Sequence, residues 1–237
     1  MNKTIDLIPL GRLALAFLPV FVVVAVLARW SLGAGTAVYG IARMLIQLLL
    51  IGYVLTFIFE TEQSMVVVGV LSFMLAVASW ITLRPLKEKS RSQYWKALVS
   101  IALGGVLTLL LITLGVLDLE PWFNPSKMIP LAGMIFANCM TAISLAAERY
   151  DAELLNADYV TARNAALRTA LIPITNSLFA VGLVSLPGMM TGQILAGADP
   201  LVAARYQIMV MCMLFGSSGI SVVCYLTLLK RDLVQDR

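Results

Sequence analysis

The sequence predicts an all-α polytopic membrane protein with about seven transmembrane helices, its N-terminus outside and its C-terminus cytoplasmic. Three observations carry that expectation. Of 237 residues 60% are hydrophobic and only 13% charged, with a mean hydropathy of +0.92, whereas a soluble domain has roughly 45–50% apolar and about 25% charged residues. The charges that exist divide the chain into runs of membrane-spanning length. The cations among them collect on alternate loops.

A span takes roughly 17 to 25 apolar residues. The first runs from about Leu10 to Ala28, bracketed by Arg12 and Arg29. The second, about Ala37 to Phe59, is interrupted at Arg43, and Glu60 and Glu62 separate it from a charge-free third, Ser64 to Leu83. Ala97 to Leu117 and Met128 to Ala147 follow, divided by the polar, Pro-bearing stretch Asp118 to Lys127. From Thr169 to Ala198 there are 30 residues without a charge, too many for one straight span. Pro187-Gly188 therefore reads as a stop, with the sixth helix ending near Leu186 and a turn after it. Tyr206 to Leu229 is the seventh. No cleavage site follows the first run before Arg29 and Trp30, so it reads as a retained span rather than a signal peptide. Without internal repeats or a long polar segment, residues 1–237 read as a single transmembrane domain.

Alternation of loops puts twelve cations on one side: Arg29, the five from Arg84 to Lys96, Arg149, Arg163, Arg168, Lys230, Arg231 and Arg237. Four fall on the other, Lys3, Arg12, Lys127 and Arg205. Cytoplasmic loops carry the Lys/Arg excess, so the first side is cytoplasmic. The net charge of +4 is then a matter of membrane orientation and lipid contact, not of nucleic acid.

The absence of His excludes Ser-His-Asp and HExxH chemistry. Cys139, Cys212 and Cys224 each sit in an apolar run without a CxxC partner, and read as small buried hydrophobes. No GxxxxGK[ST] loop is present, so the chain is not itself an ATPase, and no acidic cluster supports another enzymatic role.

Particular residues narrow the reading further. Gly40 to Leu55 (GIARMLIQLLLIGYVL), Ile129 to Asn138 (IPLAGMIFAN), Ala170 to Asn176 (ALIPITN), Val184 to Pro200 (VSLPGMMTGQILAGADP) and Arg205 to Met209 (RYQIM) resemble the FetB-type ABC transporter permeases, a likeness that covers most of the chain. The resemblance implies a bacterial inner-membrane permease subunit, working in pairs with a cytoplasmic ATP-binding subunit that holds ATP and Mg, and associated with iron export. Plant relatives are linked to aluminium tolerance and UDP-glucose, so a nucleotide sugar is an alternative cargo. An ATP-independent carrier or channel is another alternative. The chain departs from the family pattern in its shorter stretch between Asn138 and Ala170, in Leu155-Asn-Ala-Asp158 where a Leu-Gly-Ala-like turn is usual, and in Ala137 where Gly usually precedes the Asn.

Candidate pathway residues follow from polarity inside the spans. Arg43 and Gln47 share one face of the second span, either snorkelling to the interface or joining helices through polar contacts. Asn138 and Asn176 each need a hydrogen-bond partner in lipid and face other helices or a hydrated path. Met140 beside Asn138, and Met128, Met134, Met189, Met190, Met209, Met211 and Met213 elsewhere, add soft sulfur that packs or assists a metal. Asp199-Pro200 has the form of an N-cap followed by an N1 proline, starting the last helix. On a functional reading Gln193 and Asp199 line the external mouth. Finally, Glu148 to Arg168 is free of Pro and Gly, with acids first and bases last. It reads as a short cytoplasmic helix, at about 148–168. That helix is a solvated connector, or else a coupling element offering Glu153, Leu154, Leu155 and Tyr159 to the ATPase.

Overall fold

The computed structural model describes residues 8–59, 63–86 and 89–235. Lys3, Glu60, Glu62, Lys87 and Arg237, which the loop assignment uses, lie outside them. The described residues form helices joined by turns, with one isolated bridge between Val181 and Ser185. Helix is the expected state for a chain whose backbone polar groups must be satisfied within lipid. Two compact units divide the chain, Met1–Glu60 and Thr61–Arg237.

The first unit holds α1 (Leu10–Leu15), α2 (Leu18–Arg29) and α3 (Ala34–Phe59). The first expected span is thus two helices, because Pro19 near the start of α2 has no N–H to return to the preceding turn. Neither α1 nor α2 buries a residue. Phe21 and Leu48 are more than 60% exposed, which is tolerable only against an apolar solvent.

The second unit begins with α4 (Ser64–Thr82). A long helix, Arg91–Val116, follows, in which α5 (Arg91–Ile101) and α6 (Leu107–Leu110) alternate with π-helical segments at Ala102–Val106 and Leu111–Val116. Then come α7 (Pro125–Leu154), α8 (Tyr159–Ala180), a short α9 (Gly188–Leu195) and α10 (Pro200–Gln235). α7 packs on α4, α8 and α10, while α10 also meets α5, α8 and α9. These two helices supply much of the buried core, including Ile135, Ile143, Met213 and Tyr225.

A close helix approach joins the first π-helical segment to α10. A Cβ built on Gly104 would lie 2.2 Å from Ser221 Oγ, 2.7 Å from Ser221 N and 2.8 Å from the Ser217 carbonyl. Only a residue without a side chain allows that approach, the device by which small residues replace hydrophobic drive inside a membrane. The Cys139 thiol lies beside the hydroxyls of Ser217 and Ser221, and Tyr225 donates to Gln93 Oε1 at 2.8 Å. A second tie is Ser144, whose hydroxyl donates across to the Thr82 carbonyl at 2.9 Å.

Among the described residues six helices are long and apolar enough to cross a membrane: Leu10–Arg29, Ala34–Gly52, Ser64–Thr82, Arg91–Val116, Pro125–Leu154 and Pro200–Lys230. The expected span Thr169 to Leu186 is not among them. Its helix starts earlier, at Tyr159, and so includes Arg163 and Arg168; it also stops earlier, at Ala180. The break is made by Gly182 at φ +83°, not by Pro187. Gly182 reaches that left-handed conformation without steric cost, and the N–H groups of Val184 and Ser185 fold back on the Ala180 carbonyl. Pro187 instead precedes α9, accepting from Thr191 N.

Tertiary contacts nevertheless give α8 the reach of a span. At its start the Tyr159 hydroxyl donates to the Leu226 carbonyl of α10 at 3.0 Å. At its end Leu178 shares a cavity with Ala204 near the beginning of α10. The helix therefore runs antiparallel to α10, covering about 29 Å from residue 159 to 178 at 1.5 Å per residue.

The segment 148–168 is likewise not a separate short helix. It comprises the last turns of α7, a turn at 155–158 and the first half of α8. Asn156 N and Ala157 N both donate to the Glu153 carbonyl, closing α7, while the Asp158 carboxylate accepts from Thr161 N at 3.1 Å and opens α8. Hydrogen bonds from the Thr161 hydroxyl first, and from its N–H next, hold the Asp158 pKa below the usual carboxylate value. A depressed folded pKa means that the contribution is present above the unfolded carboxylate pKa and is lost as pH falls through the folded one. Asp158→Ala is accordingly expected to lower the thermal midpoint at pH 7, with the difference from the parent shrinking towards pH 3. An equal difference at both pH values would show that the cap carries no proton linkage.

Candidate functional site

A cavity with a buried amide in its wall lies where the end of α8, the following turn, α9 and the start of α10 meet. Its volume is about 340 Å³. Leu178 of α8 and Val181 and Gly182 of the turn form one wall, Met190 of α9 another, and Ala204, Gln207, Ile208, Met211 and Cys212 of α10 the third. Each wall follows from a local rule. Gly182 turns the chain after α8; Asp199 caps α10, accepting from Leu201 N at 2.7 Å and Val202 N at 3.3 Å, and Pro200 begins the helix. On α10 the positions 207 and 211, like 208 and 212, are one turn apart and share a face.

Gln207 is the polar centre of this cavity. It is only 5% exposed, and its Oε1 has no hydrogen-bond partner. A buried amide oxygen without a donor costs about 1–3 kcal/mol, so the arrangement leaves an acceptor poised for something that can use a lone pair. Gln193 of α9 follows Met190 by one turn, and its Oε1 is also buried without a partner. The lining otherwise offers the thioethers of Met190 and Met211 and the thiol of Cys212, which is exposed and not the buried apolar side chain that its sequence context predicts.

Of the residues expected on the pathway, Met190 lies in this cavity, and Met189 and Gln193 stand beside it on the same short helix. Asp199 is exposed and spends Oδ1 on capping α10. Asn138 and Met140 lie on α7, where the Asn138 amide donates to the Met134 carbonyl of its own helix at 2.9 Å; its need for a donor contact is met locally. Asn176 is exposed on α8. Arg43 and Gln47 belong to α3 of the other unit, the first half-buried and the second exposed. Gln207 and Cys212 are the residues that individual motifs pass over as site residues, whereas Met211 is already among the soft sulfurs weighed for a metal. Their signal is spacing: a Gln, a Met and a Cys at i, i+4 and i+5 within an apolar helix.

At the opposite end of α8 and α10, the coupling candidates separate. Leu155 is 79% exposed at the tip of the turn. Glu153 is ion-paired with Arg149, and Leu154 is half-buried. Tyr159 is drawn into the bundle: besides its bond to α10, its ring lies beneath the Arg163 guanidinium at 5.8 Å and the Lys230 ammonium at 5.6 Å and packs edge-on against Tyr150. These contacts anchor the start of α8 on α10.

Apolar helices of spanning length, their lipid-type exteriors and an amide- and sulfur-lined cavity among them define a multi-pass helical membrane protein. The chain matches the uncharacterised protein family UPF0014 over residues 10–162 and 156–234, and it belongs to that family. It is 33% identical over 239 residues to the probable iron export permease protein FetB of Escherichia coli (strain K12), covering 92% of this chain and 90% of that one. To the protein ALUMINUM SENSITIVE 3 of Arabidopsis thaliana it is 36% identical over 221 residues, 85% of this chain and 80% of the relative. A UPF0014 membrane protein of Synechocystis is 32% identical over 205 residues, 80% and 79% of the two chains. No solved structure matches.

Proposed function

We propose that this chain is the membrane-spanning permease subunit of a metal-ion transporter driven by ATP hydrolysis on a separate cytoplasmic subunit. The observation that carries the reading is the likeness along nearly the whole chain to the Escherichia coli protein named as a probable iron export permease. The sequence contains no glycine-rich phosphate loop, so in this reading ATP and Mg belong to the partner. In this reading the cation-rich ends face the cytoplasm of the bacterial inner membrane, and α8 completes a seventh crossing beside α10. Two copies of the permease act together. The turn at 155–158 then points towards the ATPase, and the cavity at the start of α10 lies towards the external side, where cargo leaves.

Reconstitution tests this directly. Vesicles containing the permease and its ATPase are expected to move a metal ion only when ATP is present on the ATPase side, and the cargo to stimulate hydrolysis. Movement at the same rate without nucleotide would identify an ATP-independent carrier. Nucleotide-driven movement of UDP-glucose with metals unmoved would replace metal by nucleotide sugar.

A further inference from the structure

We propose that the cavity between α9 and α10 coordinates a soft monovalent cation of the Cu(I) or Ag(I) type, through the sulfurs of Met190, Met211 and Cys212 with Gln207 Oε1 as a weaker oxygen donor. As a cargo site this rests on the permease reading above; as a binding site it stands on the cavity alone.

The donor set decides the class of ion. Thioethers and thiols select Cu(I), whereas carboxylates, carbonyls and water suit harder ions. Among the described residues no three His, Cys, Asp or Glu side chains gather to hold a metal, and Asp199, the acid nearest in sequence, is committed to its cap. Sulfur is what the cavity offers. Met211 and Cys212 come from consecutive positions of α10, Met190 faces them from α9, and Gln207 stands one turn before Met211.

Charge points the same way. When Cys212 binds, the S–H bond breaks, the sulfur–metal bond forms and the proton passes to water. One thiolate then neutralises one monovalent ion, and the site carries no net charge. A divalent ion on the same ligands would leave one net positive charge against a largely apolar wall, a less favourable balance than the neutral monovalent site even with Cys212 exposed at its rim. The unpartnered, 95% buried Gln207 amide is the feature that packing alone does not explain. A purely hydrocarbon occupant would leave Oε1 as it is now, whereas a cation uses its lone pair.

The test uses the full-length chain purified in detergent without oxygen, with Cu(I) presented by a chromogenic chelator and Ag(I) as a redox-inert second probe. The expected result is one ion bound per chain, with about one proton released. M190L/M211L and C212S should each weaken binding by tenfold or more, while M65L, at an exposed position on α4, leaves it unchanged. Leu for Met conserves volume, and C212S probes the same site without altering α9, so a folding defect in one variant does not decide the matter. Binding of Cu(I) by both variants as tightly as by the parent would overturn the proposal, as would equal affinity of the parent for Fe(II). The permease reading fails separately: variants that lose Cu(I) while parent vesicles move no metal with ATP keep the site and remove the transporter. ATP-driven movement with undiminished Cu(I) binding in every variant does the reverse.

Discussion

Gly104→Ala is expected to be the most damaging single methyl that can be added to this protein. The new Cβ would stand 2.2 Å from Ser221 Oγ, and rotation of that side chain cannot rescue it, because Ser221 N and the Ser217 carbonyl lie at 2.7 and 2.8 Å. Backbone would have to move, separating α10 from the helix that carries Gly104. Overpacking a core costs typically about 1–3 kcal/mol, and a clash with main chain belongs at or above the upper end of that range. Gly105→Ala should be milder, since its Cβ would meet only the Ile135 methyl and the Phe136 ring at 3.1–3.2 Å, side-chain atoms that can shift. Gly192→Ala on α9 faces open space and should be neutral or gain about 0.5–1 kcal/mol of helix propensity. Thermal unfolding of the three variants in one detergent should rank them in that order. A Gly104→Ala midpoint equal to the parent's would refute the packing account.

On the proposed function, Leu155→Asp is expected to separate the permease from its ATPase without loosening the permease. Leu155 is 79% exposed, so the substitution removes no buried contact and leaves the thermal midpoint within the small range of surface changes, about ±0.5 kcal/mol. If the turn is the docking point, burying a carboxylate in its groove should reduce co-purification of the ATPase and ATP-driven transport by tenfold or more. Tyr159→Phe provides the contrast. It loses the bond to the Leu226 carbonyl and therefore stability, roughly 0.5–1.5 kcal/mol, while leaving ATPase binding intact. Unchanged co-purification with Leu155→Asp would move the docking surface elsewhere.

The contrast between Leu155 and Tyr159 marks how far residue-level reading reaches. Both are large side chains in a mixed apolar and charged segment, and their sequence positions treat them alike. Their fates differ because Asp158 begins a new helix between them, turning Leu155 outward and Tyr159 onto α10. Asp199 shows the opposite case. An Asp-Pro pair carries its own local instruction, and its expected role as the cap of the last helix is met by two hydrogen bonds.

α8 and the cavity show the same division. Composition alone makes α8 a poor span, since Arg163 and Arg168 share its helix; contacts with α10 at both ends give it a span's length. Gln207, Met211 and Cys212 look like ordinary members of an apolar helix until α9 folds back with Met190. Gly104 is one of 16 glycines, and nothing in its neighbours along the chain distinguishes it from those that face open space.

That the chain is a helical, multi-pass membrane protein could be read from residue types and their order. Those are properties of single residues and of short-range periodicity, where solvation and local hydrogen bonding act. Which glycine admits a neighbouring helix, which tyrosine is an anchor and which sulfurs share one cavity depend on residues tens of positions apart. Only packing brings such residues within the few ångströms over which dispersion, clash and coordination operate.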